Sequence, residues 1–412
     1  MISPQRLVTD SSVVPQLAVT RLALSAYRCY PSLRLNTDGR PVVLAGPNGA
    51  GKTNLLEAIS YLAPGRGLLG ARLHEVDRRG GNSTWAVAAT VLTPEGTVDI
   101  GTGRGGEGSR DGAEDGEGAG GSAPASVSTP ARRADRRVVR INGAPARGPA
   151  ALSELVSVLW LTPPMDRLFT DGARARRRFL DRLVFGIDPA HAGRLAAFDR
   201  ALGERARLLR DGVRDAAWLS ALERTMAERG VAISAARREA AARVSRISAQ
   251  GIGPFPAAAL RVEGMVEDWL DQGPALAAEE RWQDALAAAR PRDAETGGAG
   301  VGPSDLAVHH AARDMPAKLC STGEQKALLI SIVLANARLQ AELGGVAPLL
   351  LLDEVAAHLD ESHRHALFED IRALGAQAWL TGTDMALFAD LGEQSQFFRV
   401  VDAAVTPVDA PA

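Results

Sequence analysis

The eight-residue stretch Gly46-Pro47-Asn48-Gly49-Ala50-Gly51-Lys52-Thr53 limits what this chain can fold into more than any other segment. It follows the apolar run Pro41 to Ala45 and leads into Asn54-Leu55-Leu56-Glu57-Ala58-Ile59, which reads as the opening turns of a helix. Strand, glycine loop and helix in that order let a chain wrap backbone N–H groups around phosphate. The glycines allow the backbone to curl inward, and the helix end adds its positive pole. In such a loop Lys52 reaches the β- and γ-phosphates of ATP and the Thr53 hydroxyl holds Mg²⁺. The alternative is a glycine turn with a chance lysine. Lysine is scarce, however: Lys52, Lys318 and Lys326 are the only ones among 47 basic residues. Arginine's planar fork does not fit where the slim lysine stem enters.

Bulk properties bound the rest. A chain of 412 residues suits two or three lobes, and 46% hydrophobic content suffices for a core. A net charge of −2 gives no global basic field, so any surface for DNA must be a local patch. Cys29 and Cys320 read as free thiols in a reducing cytoplasm. Neither a signal peptide nor an apolar run of about 20 residues is evident, so no membrane span is expected.

Along the chain, Met1 to Gln16 reads as a loose tail, and Leu17 to Leu24 and Ser32 to Leu35 as strands leading to the nucleotide strand. Arg66, Arg72, Arg78 and Arg79 read as a solvated basic surface, with DNA phosphate contact as the alternative. Trp85 to Leu92 and Thr97 to Ile100 are strand-like. From Gly101 to about Arg136 the composition collapses: ten of the 21 residues from Gly101 to Gly121 are glycine. No core can be built from that, so a disordered swelling of a hairpin is expected, returning at Arg137 to Ile141. Ala190 to Ala289 carries helical spacing, interrupted at Gly251 to Pro256, and reads as an inserted helical lobe or short antiparallel arm. The expected layout is an α/β nucleotide head over 1–160 and 301–412, with a mostly helical lobe over 161–300. A short Pro/Ala-rich tail is expected from Asp402.

The second half of a nucleotide site lies far downstream. Pro348 to Leu352 is an apolar strand ending in Asp353-Glu354. Asp353 would hold Mg²⁺ through water, and Glu354 would orient and deprotonate an attacking water. Shortly before it stands Ser321-Thr322-Gly323-Glu324-Gln325-Lys326, which taken alone is a helix N-cap with a capping box. Placed directly before the Asp353 strand, it resembles the signature motif of ABC ATPases. His358, His363 and His365 read as solvated helix-face residues, with no third partner for a metal.

Together these segments resemble the RecF family, bacterial recombination-repair ATPases related to the heads of SMC and Rad50. The resemblance covers Tyr27-Arg28-Cys29-Tyr30, Gly46 to Ala58, Trp160 to Pro164, Arg176 to Arg182, Ile187-Asp188-Pro189, Ser321 to Lys326, Leu350 to Asp360 and Thr381-Gly382-Thr383-Asp384. The arginine block is the most discriminating, because other ABC ATPases lack it. The resemblance implies an ABC-type P-loop ATPase head with a helical insertion. Lys52 and Thr53 would bind ATP and Mg²⁺, Asp353 would bind Mg²⁺, and Glu354 would be the base. Ser321 and Gly323 would complete a partner subunit's site, so that ATP stabilises a dimer on gapped or junction DNA and slow hydrolysis releases it. RecR and RecO would be partners, with RecA loading the outcome. The chain departs from the family pattern in its glycine-rich insertion, in Ser304 where a His-Arg pair is usual, and in having no glutamine near Thr162. An ABC subunit driving a membrane transporter and a small-molecule kinase are the competing readings.

Overall fold

The structure, a computed structural model, describes residues 16–81, 84–105, 136–213, 215–296 and 304–411. The expected tail up to residue 15, most of the glycine-rich insertion and residues 297–303 lie outside the described residues.

Two six-stranded sheets organise the head. One is antiparallel, built from β1 (Ala18–Tyr27), β2 (Tyr30–Asn36), β4 (Ala86–Thr93), β5 (Gly96–Arg104), β6 (Arg137–Ile141) and β7 (Ala144–Pro145) in the order β2-β1-β4-β5-β6-β7. The other contains β3 (Val42–Ala45), β8 (Val158–Leu161), β12 (Leu349–Leu352), β13 (Ala378–Gly382), β14 (Gln396–Val401) and β15 (Ala404–Val408) in the order β15-β14-β3-β13-β12-β8. All pairings in the second sheet are parallel except β14 with β15. Its strands β3 and β12 are apolar throughout because both faces are covered. Val42, Leu44, Leu351 and Trp379 face a core shared with α1 (Lys52–Ser60) and the antiparallel sheet. Val43, Leu350, Leu352 and Leu380 face a second core against α7 (Thr322–Gly344) and α8 (Glu361–Leu374).

Two expectations need correction here. Residues 101–104 are not loose: β5 runs on to Arg104, paired with β6. A Cβ on Gly103 would stand 2.7 Å from the Trp85 carbonyl oxygen, so this glycine serves close strand approach. The expected Pro/Ala tail is the strand β15, turned back by Asp402 and Ala403 in left-handed backbone, with Pro407 tolerated at the sheet edge. Among the described residues one helix, α7, is long and apolar enough to cross a bilayer, with a window of mean hydropathy 1.3. Its apolar surface is instead used in the core, where 67% of that window is buried.

The inserted lobe contains α2 (Ala173–Phe185), α3 (Ala190–Arg210), α4 (Ala216–Ala249), α5 (Met265–Gln272) and α6 (Ala275–Thr296). Helix α4, 34 residues long, spans about 50 Å at the usual helical rise. Trp282 packs against it at Gly230, where an added Cβ would come within 2.1 Å of the indole. Arg205, fully buried, donates to Glu223 at 2.9 Å, to Asp293 at 2.8 Å and to the Leu286 carbonyl at 2.7 Å, joining α3, α4 and α6. The stretch expected to be helical also hides a strand, β9 (Ala258–Glu263). It pairs with β10 (Asp305–His310), which pairs in turn with β11 (Met315–Pro316). Its strict in-out alternation of Ala258, Leu260 and Val262 was a two-residue period lost among helical neighbours.

Candidate functional site

β3 lies between β13 and β14, so the loop that follows it opens at the C-terminal ends of parallel strands. Gly46 must be glycine, because a Cβ there would sit 2.0 Å from the Val400 carbonyl oxygen. Gly49 and Gly51 take φ of 81° and 111°, in the left-handed region glycine tolerates. Gly51 ends the loop as the N-cap of α1, and no side chain caps that helix. The first N–H groups of α1 therefore face the cleft with no side-chain acceptor. Lys52, 4% exposed, folds back to donate to the carbonyls of Gly46 at 2.6 Å and Pro47 at 2.9 Å. Burial pushes the Lys52 ammonium down, against the opposing pull of Glu354 and Asp353.

The two halves of the predicted site meet at Asp353. The Thr53 hydroxyl lies 3.0 Å from both carboxylate oxygens of Asp353. The Thr381 hydroxyl donates to Asp353 Oδ1 at 2.7 Å and accepts the Glu354 N–H at 2.9 Å. Burial raises the Asp353 carboxyl above its ordinary value, and the hydrogen bonds from Thr381 and Thr53 oppose that rise. Glu354, held in left-handed backbone at φ 53°, turns into a cleft of about 250 Å³ lined also by Asn48, Gly49, Gly51, Lys52, Thr53 and Asn54. This donor set suits a metal-bound triphosphate: an uncapped helix end, one ammonium, one hydroxyl and two carboxylates.

Ser321 and Gly323 do not line that cleft. Ser321 caps α7, and its backbone N–H and its hydroxyl donate to Glu324 Oε2 at 2.9 and 2.8 Å. Leu319, two residues earlier, is 66% exposed, and nothing lies within 4 Å of where a Cβ on Gly323 would be. Thr162 and Asp166, from the loop after β8, border Asp353 together with Lys326, whose Nζ stands 3.5 Å from Asp166. Ser304 donates to Glu267 Oε1 at 2.7 Å, and Asp384 caps the helical turn that follows it. Arg66, Arg72 and Arg79 are exposed.

Several supporting residues lie in segments that carry the resemblance, but their sequence assigned them no role at the site. Tyr30 donates to the Gly51 carbonyl at 3.1 Å and pins the loop. Fully buried Glu57 accepts two bonds from Arg28, each 2.7 Å, and one from the Tyr27 hydroxyl at 3.0 Å, fixing α1 against β1. The acid in the middle of the apolar face of α1 was the available signal, since buried carboxylates require partners.

A family model described as the RecF/RecN/SMC N terminal domain matches residues 18–404. The DNA replication and repair protein RecF of Mesorhizobium japonicum is 47% identical over 400 residues, covering 96% of this chain and 99% of its own. The protein of the same name from Rhizobium meliloti is 45% identical over 392 residues, covering 94% and 98%. A solved structure of the recombination mediator protein RecF with ATP, in the RecFOR pathway, shares the fold at a TM-score of 0.75 and 18% identity over 95% of this chain and 99% of that one. The transporter reading finds no support among these relatives. The match from the first strand, β1, to the hairpin that closes the sheet, together with 47% identity over nearly the whole length of a relative, shows that the chain belongs to the RecF family.

Proposed function

We propose that this chain is an ATP-binding DNA replication and repair protein. It would act as an ATP-stabilised homodimer on gapped or junction DNA, in the cytoplasm, alongside RecO and RecR and in aid of RecA loading. The observation that carries the reading is the convergence of Lys52, Thr53, Asp353, Glu354 and Thr381 beneath the uncapped start of α1. The relatives' names supply the DNA side of the reading.

When bound, ATP with Mg²⁺ would supply a transferable phosphoryl group and the charge that draws it into this cleft. The chain's own residues then have separable duties. Lys52 and the N–H groups of the loop and of α1 hold the phosphates. Thr53 and Asp353 hold the metal. Glu354 orients a water and accepts its proton. Ser321 and Gly323, which stand apart from their own subunit's cleft, would face the γ-phosphate held by a second copy. With its γ-phosphate site completed only across such a pair, hydrolysis is expected to be weak and to rise with DNA.

The test is mass by light scattering, together with affinity for a gapped duplex, measured with ATP, with ADP and without nucleotide. ATP is expected to favour the dimer and raise affinity. Ser321→Arg should abolish the dimer and leave nucleotide binding by the monomer unchanged. ATP-driven dimers persisting in that variant would refute the shared site.

A further inference from the structure

The arginine block of α2 has no part in the nucleotide site, yet it is organised. Arg174, Arg178 and Arg182 recur at every fourth position and so share one face of the helix. Arg174 and Arg178 are exposed, and among the described residues neither has an acidic partner. Their neighbours are already engaged: Arg176 is bidentate to Asp305 at 2.8 and 2.7 Å, and Arg177 donates to the Ser304 carbonyl at 3.1 Å.

Arg182, at the inner end of the row, lies 4.1 Å from the centre of the Trp160 ring and 5.2 Å from that of Phe179, and its Nε is buried without a hydrogen-bond partner. Burial and repulsion from Arg178 push its guanidinium down to about 9. The outer end of the row also runs against its own helix. α2 begins at Gly172 with no side-chain cap and no acid in its first turn, so Arg174 stands at the positive pole of the helix, while Arg182 lies in its last turn.

We propose that Arg174, Arg178 and Arg182 form a binding row for the phosphate backbone of DNA, with the two exposed guanidiniums contacting successive phosphates and Arg182 fixing the inner end of the row over Trp160. The proposal rests on the DNA-repair reading above. The arginines have no base-reading geometry of their own, so the row supplies affinity without sequence preference. The Met165 sulfur lies 3.6 Å from Arg182 Nη2, in the loop whose Thr162 and Asp166 border Asp353. DNA held on the row therefore sits one loop away from the nucleotide site.

The experiment measures binding of the full chain, with ATP, to a fluorescent gapped duplex across a range of salt. Each phosphate contact contributes about 0.9 to the slope of log affinity against log salt. Arg174→Gln with Arg178→Gln should therefore flatten the slope by about 2 and leave ATP affinity unchanged. Arg174→Lys with Arg178→Lys should restore most of it, because charge and not shape is at work. Arg224→Gln, an exposed arginine on α4, serves as a control and should keep the parent slope. If the parent binds DNA with ATP and the glutamine pair keeps its slope, the row is overturned and the repair reading stands. A row meant for an acidic protein would give that same result. If the parent shows no DNA binding at all, both fall.

Discussion

Thr381→Val tests whether the site is held together from below. Thr381 is 1% exposed, and its one hydroxyl does two jobs: it donates to Asp353 and accepts the Glu354 N–H. Valine keeps the shape and deletes both. A lost hydrogen bond to a carboxylate is worth about 1.5–3 kcal/mol, and an orphaned buried amide costs about 1–3 kcal/mol. The two share one oxygen and do not add fully, so the expected loss is about 2–4 kcal/mol. In thermal unfolding of a chain this long that lowers the melting temperature by roughly 2–5 °C.

The deficit should also depend on pH. Burial raises the Asp353 carboxyl in the folded state, so its contribution is present below the unfolded value and is lost as pH rises through the folded one. The Thr381 bond stabilises the charged form and limits that loss. Removing it raises the carboxyl further, so the variant should trail the parent least in acid and most at neutral pH. Thr381→Ser, which retains the hydroxyl, should recover most of the difference. A valine variant within roughly 0.5 kcal/mol of the parent at neutral pH, the range of an ordinary surface change, would refute the reasoning.

The other predictions concern separate links. Lys52→Ala should weaken binding of a fluorescent ATP analogue at least about tenfold, through loss of the charge-assisted bonds to phosphate; unchanged affinity would remove Lys52 from the site. Glu354→Gln should retain binding while steady-state hydrolysis falls roughly 10²–10⁴-fold, the usual contribution of a positioned base; an active variant would require another base. Arg205→Met should cost the lobe about 3–5 kcal/mol, because buried Glu223 and Asp293 lose their shared cation. Faster proteolysis at the α3–α4 turn near Gly212, with ATP binding retained, is the expected signature, and an unchanged cleavage rate would contradict it.

The nucleotide half of this protein could be read from sequence because its chemistry tolerates few substitutes. Only glycine fits against Val400 at position 46, and a strand buried on both faces announces itself as Leu349 to Leu352. Thr381 belongs to a segment that carries the family resemblance, but a threonine at the end of a core strand has no sequence mark of its role, which exists only where β13 lies beside β12. β9 was lost for a related reason, since six alternating residues between long helices are outweighed until β10 supplies the pairing. Glycine misled at Gly103, where it marks crowding and not looseness. The segment from Ser321 to Lys326 shows in this structure only as the capped start of α7, and the partner proposed for it on a second copy is a meeting that one sequence cannot display.

The placement of β3 has a consequence for biosynthesis. Its only sheet neighbours, β13 and β14, are encoded more than 300 residues later. A ribosome making this chain releases the phosphate loop long before either flank exists. Until β13 emerges, β3 is an unpaired apolar ribbon, the kind of edge that sticks to other nascent chains. The long separation favours slow closure, so yield in the cell should depend on chaperone holding during translation more than the stability of the finished fold suggests.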